Sequence, residues 1–239
     1  MKDIDLLIKN SNKYKDAIIQ KKYKSKKNTV AYITLNNKPK VVKWFAPGFK
    51  KNMDKEYSIL STGYLKLNIP TPFEKDQKHN VILMSYIIGE NLCDLINDEN
   101  MTTSEKQRLM LLLSEWFSNF HNYFRKGNKT YIRGDSILRN FIFSNKIWGV
   151  DFENSRYGKP DEDISQMCAS ILSTDPMFTD EKIQLCNIFI KNYERIEETK
   201  FHQIDDDIAY FLLEINQRRS NNKQMILDYA NKIKETGLY

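Results

Sequence analysis

Three short runs that mix aliphatic and aromatic residues, separated by polar turns, lie near the start of the chain. Residues 17–23 (AIIQKKY), 29–35 (TVAYITL) and 40–45 (KVVKWF) each read as a strand. The polar run KSKKN separates the first two. Asn36-Asn37-Lys38-Pro39 separates the last two, and an Asn pair suits a tight hairpin because Asn tolerates positive φ. The pattern then becomes helical. Across residues 54–67, Tyr57, Leu60, Tyr64 and Leu67 fall on one helical stripe, and the prolines of Asn68-Ile69-Pro70-Thr71-Pro72 end it. VILMSYI (81–87) is a buried strand that runs into Gly89. The strongest helix is 103–124: Thr102 and Glu105 have capping-box spacing, and Leu109, Leu112, Leu113, Trp116, Phe117 and Phe120 form a core stripe. After Gly127, YIRGDSILRNFIF and KIWGVDFE are two strand-like runs around a turn at Ser144-Asn145. The tail, 163–236, reads as several helices.

This order predicts an α+β protein of two lobes with a cleft between them: a small β-rich lobe over residues 1–85 and a larger helical lobe over residues 86–239. The 239 residues, 41% of them apolar, are enough for packed cores and exclude a disordered chain. The opening MKDIDLLIKNSNKYKD has no apolar core of signal-peptide length, and no later run is long enough to span a bilayer, so a soluble cytoplasmic protein is expected. Cys93, Cys168 and Cys186 are far apart and form no CxxC pair, which argues against a zinc site or a disulfide frame. His79, His121 and His202 show no ligand spacing either. Net charge is +6, but residues 1–51 carry +11 and the remainder −5. A basic first quarter suits polyphosphate, nucleic acid or acidic lipid, or simply a solvated surface.

The chemistry is concentrated in Gly134-Asp135-Ser136-Ile137-Leu138-Arg139-Asn140 and Val150-Asp151-Phe152-Glu153. Phosphoryl transfer from ATP needs a carboxylate to orient the acceptor hydroxyl, oxygen ligands for magnesium, and a cation on the phosphates. Asp135 and Asn140 have the D-x-x-x-x-N spacing of a kinase catalytic loop, and Asp151 follows an apolar strand where the Asp of D-F-G would stand. Arg139 offers a further contact to a phosphate or an acidic acceptor, although a solvent-exposed arginine fits equally well. His121 reads as a histidine at the edge of the core.

On these motifs the chain resembles the aminoglycoside phosphotransferase and choline kinase branch of the protein-kinase-like superfamily, with some likeness to RIO-type atypical kinases. RGDSILRN and VDFE match that branch's loop and its following acidic motif. The resemblance implies that Lys43 is the phosphate-binding strand lysine and Glu56 its ion-pair partner. It also implies that Met84 lines the adenine pocket, which the Ser85 carbonyl and Ile87 amide complete, and that Asp163 steadies the catalytic loop. Asp135 would be the catalytic residue, Asn140 and Asp151 the metal ligands, and ATP and Mg2+ the cofactors. Two departures stand out. Ser25-Lys26-Lys27-Asn28-Thr29 replaces the glycine-rich phosphate loop, and Arg133 stands where the branch has His. Only eleven residues separate Asp151 from Asp163, too few for the long activation segment of protein kinases. The expected function is therefore a transferase moving the γ-phosphate of ATP to a hydroxyl of a small molecule. The alternatives are a RIO-like kinase acting on RNA or protein, and a nucleotide-binding pseudokinase.

Overall fold

The computed structural model describes residues 4–23 and 27–238. These form two compact units, residues 1–88 with 151–154, and residues 89–150 with 155–239.

The first unit is an antiparallel sheet with a helix on each face. Strands β1 (Ile18–Tyr23), β2 (Thr29–Leu35), β3 (Lys38–Trp44), β4 (Pro72–Asp76) and β5 (Val81–Ser85) lie in the order β1-β2-β3-β5-β4. The β2–β3 hairpin forms because Asn36 and Asn37 both take positive φ, 51° and 57°. Alternation sorts the side chains: Ala31, Ile33 and Leu35 of β2, Val42 and Trp44 of β3, and Val81 and Leu83 of β5 share one buried face. Helix α1 (Ile4–Asn10) covers that face with Ile4, Leu7 and Ile8. The opposite face is set by the register Val30↔Lys43↔Ile82 and Tyr32↔Val41↔Met84, and helix α2 (Lys50–Gly63) packs against β4 and β5.

Helix α2 begins and ends about four residues earlier than the apolar stripe predicts. Its buried residues are Met53, Glu56, Ile59, Leu60 and Gly63, whereas Tyr64, expected on the stripe, is exposed. The inward face carries a carboxylate, and apolar periodicity alone cannot register it. The chain leaves the helix at Tyr64, not at the prolines.

In the second unit, β6 (Glu90–Asn91) precedes a short helix α3 (Leu92–Ile96), whose cap is the Asn91 side chain. Helix α4 (Thr103–Tyr123) starts at the expected Thr102–Glu105 capping box and packs on α6 (Asp180–Ile196). Its buried stripe is as predicted except that Leu112 is only half-buried. The run YIRGDSILRNFIF is not one strand. It divides into β7 (Thr130–Ile132), a loop, a 3-10 turn (Leu138–Asn140) and β8 (Phe141–Ser144), which forms a hairpin with β9 (Lys146–Gly149). Gly134, at φ 70°, is where the strand breaks. Strand β10 (Arg156–Gly158) pairs with β7. Helices α5 (Pro160–Leu172), α6, α7 (Ile204–Arg218) and α8 (Lys223–Thr236) complete the unit, and α5 is the most deeply buried of them. No helix among the described residues is long and apolar enough to cross a membrane.

Candidate functional site

Lys43 lies near the end of β3 on the face away from α1 and is 4% exposed. Its ammonium donates to Glu56 Oε2 at 2.6 Å, from the second turn of α2, and to Asp151 Oδ1 at 2.7 Å; Glu153 Oε2 stands 3.2 Å away. One buried cation thus faces three carboxylates. Burial opposes the charge on Lys43, but Glu56, Asp151 and Glu153 outweigh it and hold the ammonium well above its usual pKa. For Glu56, burial raises the pKa, and repulsion from Asp151 and Glu153 adds to it against the pull of Lys43. Asp151 has φ 65°, a left-handed backbone that costs a non-glycine residue energy and that clusters at functional positions.

The carboxylates of Glu56, Asp151 and Glu153 approach one another closely enough to be tested as a cation site. Hard oxygen donors suit Mg2+. Glu56, however, is fully engaged with Lys43 and 1% exposed, whereas the Asp151 side chain is 38% exposed. Asp151 therefore has the chemistry and the access for a metal ligand; Glu56 does not.

Met84, on β5, shares the face of Val41, Lys43 and Ile82. Ser85 ends β5, its amide donating to the Thr71 carbonyl and its hydroxyl accepting from the Thr71 amide, both at 2.9 Å. Ile87 follows, half-buried. Between them Tyr86 stacks on Tyr32 of β2, with ring centroids 4.1 Å apart and planes 9° from parallel. This aromatic tie was not foreseen.

In the second unit Asp135 and Asn140 are brought together, as the spacing requires. Asn140 Nδ2 donates to the Asp135 carbonyl at 3.0 Å and to its Oδ2 at 3.2 Å. Beneath them Asp163, fully buried, accepts four bonds: from the Arg133 amide (2.7 Å), the Gly134 amide (2.9 Å), the Ser136 hydroxyl (2.8 Å) and His121 Nε2 (3.0 Å). Burial works against the Asp163 charge, but His121 and the two amides prevail and hold its carboxyl below the usual range. His121 is fully buried and is held on its other nitrogen by Tyr193 Oη at 2.7 Å, so it belongs to the support of the loop and not to the core edge. Arg133 is also fully buried. It donates to the Val150 carbonyl at 2.7 Å, and its guanidinium lies 4.5 Å from the Phe141 ring centroid and 5.4 Å from that of Trp116. Arg139 is exposed.

Of the segment that replaces the glycine loop, Ser25 and Lys26 lie outside the described residues. Lys27 is exposed, with its ammonium 5.6 Å from the Phe49 ring centroid, and Asn28 is buried. Motif reading missed Asn52 and gave Asn28 and Glu153 no role of their own. Asn28 donates to Glu153, and Asn52 donates to the Glu153 carbonyl at 3.2 Å.

Five antiparallel strands with a buried strand-lysine to helix-glutamate pair, followed by helices around an Asp–Asn loop, define the protein-kinase-like fold. Solved structures share it with this chain at low identity. A Ralstonia eutropha protein assigned to the aminoglycoside phosphotransferases superposes with TM-score 0.63 at 12% identity, over 93% of this chain and 91% of that one. Plasmodium vivax ethanolamine kinase gives 0.59 at 11%, over 87% and 76%. A variant of aminoglycoside 2′-phosphotransferase IIIa, solved with GDP, gives 0.61 at 14%, over 97% and 96%. No protein-family model matches the chain. Among curated proteins, the EKC/KEOPS complex subunit BUD32 of Enterocytozoon bieneusi is 30% identical over 107 residues, 41% of this chain; the chain spans about half the length of that relative, 49%.

Proposed function

We propose that the protein is an ATP-dependent phosphotransferase that moves the γ-phosphate to a hydroxyl of a small-molecule acceptor. The observation that carries this reading is the Lys43 ammonium clasped between Glu56 and Asp151, with Asp151 in a strained backbone and still accessible. Lys43, fixed by Glu56, binds the α- and β-phosphates. Met84, with the Ser85 carbonyl and Ile87 amide, holds adenine. Asp151 and Asn140 are the residues that would hold Mg2+, which when bound neutralises charge on the phosphates. Asp135 orients the acceptor hydroxyl; as the acceptor oxygen bonds to the γ-phosphorus and the bond to ADP breaks, Asp135 takes the hydroxyl proton late. This reading places the enzyme in the cytoplasm with its substrate ATP.

A second reading, a macromolecular kinase acting on RNA or protein, draws support from the partial match to BUD32 and from the +11 charge of residues 1–51. One experiment separates the two. Radiolabelled ATP is offered with sugars, amino alcohols, aminoglycosides and nucleosides, and in parallel with RNA and protein. Label on a small acceptor, lost by about 10²-fold or more in Asp135→Ala and Asp151→Ala with both variants still folded by circular dichroism, supports the lead reading. Label only on RNA or protein favours the second. Wild-type turnover in both variants refutes the assigned roles.

A further inference from the structure

The turn that leads into β2 has no glycines with which a backbone could wrap a phosphate. Among its described residues Asn28 is buried, 6% exposed, and both ends of its amide are committed. Asn28 Oδ1 accepts from the Ala46 amide at 3.2 Å, just beyond β3, while Nδ2 donates to Glu153 Oε2. That same oxygen of Glu153 is the one 3.2 Å from Lys43 Nζ. The other two carboxylates close on Lys43 at 2.6 and 2.7 Å, within the range of charge-assisted bonds; Glu153 does not. Its backbone is fixed independently, by Asn52 from α2. A neutral amide therefore shares the Glu153 oxygen and holds it off the ammonium.

We propose that Asn28 is a positioning residue: by engaging Glu153 it keeps that carboxylate from closing on Lys43, and so preserves the charge Lys43 offers to a nucleotide's phosphates. The inference rests on the reading of Lys43 as the phosphate-binding cation. In this chain a side-chain clamp between the β2 turn, the β3 end and the D-F-E segment governs phosphate affinity, and no glycine-lined backbone is needed for it. Without the Asn28 donor, Glu153 has one partner left and moves fully onto Lys43. A third close carboxylate then competes with the incoming triphosphate, but it has no means of affecting a nucleoside that lacks phosphates.

Titration of MgATP and of adenosine by calorimetry at pH 8 tests this in the full chain. The proteins are the wild type, Asn28→Asp, Asn28→Ala, Glu153→Gln and the double variant Asn28→Asp/Glu153→Gln. Asn28→Asp keeps an acceptor for the Ala46 amide but exchanges the donation to Glu153 for a carboxylate beside it, whereas Asn28→Ala removes the donation without adding charge and carries the test should the aspartate variant not fold. The MgATP Kd is expected to rise about tenfold in both, with the adenosine Kd unchanged. Glu153→Gln in the Asn28→Asp background should bring the MgATP Kd back to within about twofold of Glu153→Gln alone. Wild-type MgATP affinity in both Asn28 variants overturns the inference. So does a loss that appears equally with adenosine, or one that Glu153→Gln does not relieve, since these are what a merely structural Asn28 would give. A wild-type protein that binds no MgATP at all refutes the phosphotransferase reading itself, and this inference with it.

Discussion

Replacing Asp163 by Asn puts the support of the Asp135 loop to a quantitative test. The carboxylate receives two donors on each oxygen: the Gly134 amide and Ser136 hydroxyl on Oδ1, and the Arg133 amide and His121 Nε2 on Oδ2. An Asn of the same shape turns one acceptor into an NH2 group, so two buried donors face a donor. Each buried hydrogen bond left unmade costs about 1–3 kcal/mol, which puts the loss near 4 kcal/mol. For a chain of this length that lowers Tm by roughly 8–16 °C. Urea unfolding at pH 7, followed through Trp116 and Trp148 of the same unit, measures it. The pH dependence has a definite sign. The folded pKa is depressed, so the unfolded chain takes up the proton first as the medium is acidified. The stability Asp163 supplies is therefore complete above the ordinary carboxylate value of about 3.9 and is lost as pH falls through the lower folded value. The gap between wild type and Asp163→Asn should accordingly narrow only on the acid side. A loss below about 1 kcal/mol at pH 7, or a gap that stays constant down to acid unfolding, would show that the four bonds do not hold the loop.

Two further substitutions test the packing and the ion cluster. Gly149→Ala places a methyl against the Trp116 indole and 2.8 Å from Arg133 Nη1; overpacking of this kind should cost about 1–3 kcal/mol by urea unfolding, and an unchanged midpoint would mean that the indole can yield. Lys43→Met leaves Glu56 and Glu153 buried without their cation and should cost about 3–5 kcal/mol, part of which Lys43→Met/Glu56→Gln restores; equal stability of the two variants would sink the account of the pair.

Where burial follows a simple period, the chain announces its elements. TVAYITL delivers the predicted strand to the residue, with Ala31, Ile33 and Leu35 inward, and α4 starts at its capping box because Thr102 and Glu105 satisfy each other locally. Errors arise where a polar group is buried. In α2 the inward face includes Glu56 and Gly63, so counting apolar residues selects the wrong stripe and places the helix end four residues late. In YIRGDSILRNFIF apolar residues flank the loop on both sides, and only Asp163, about thirty residues on, draws the Arg133 and Gly134 amides out of a strand. Helix α1 is short; most of what it gains comes from the β2 and β3 side chains it covers, which its own seven residues cannot reveal.

Lys43 and Asp163 pose the same physical problem in the two units. Each is a buried charge whose loss is costly because its partners are left unmatched, although replacing a whole buried ion cluster by well-packed apolar groups is often neutral or better. What each provides is a fixed position for segments that have no regular structure of their own. Asp163 fixes the loop of Asp135 and Asn140, and Lys43 fixes the left-handed turn at Asp151 and, through Glu153 and Asn28, the approach to β2. Such partners are chosen by charge and donor count over separations of up to 125 residues, so no local window contains the signal. The motif residues could be singled out because their spacing matches that of a kinase catalytic loop. The parts played by Asn28 and Glu153 could not be read, because they depend on each other: an Asn in a turn means little until a carboxylate from the far end of the unit is seen to share its oxygen with a lysine.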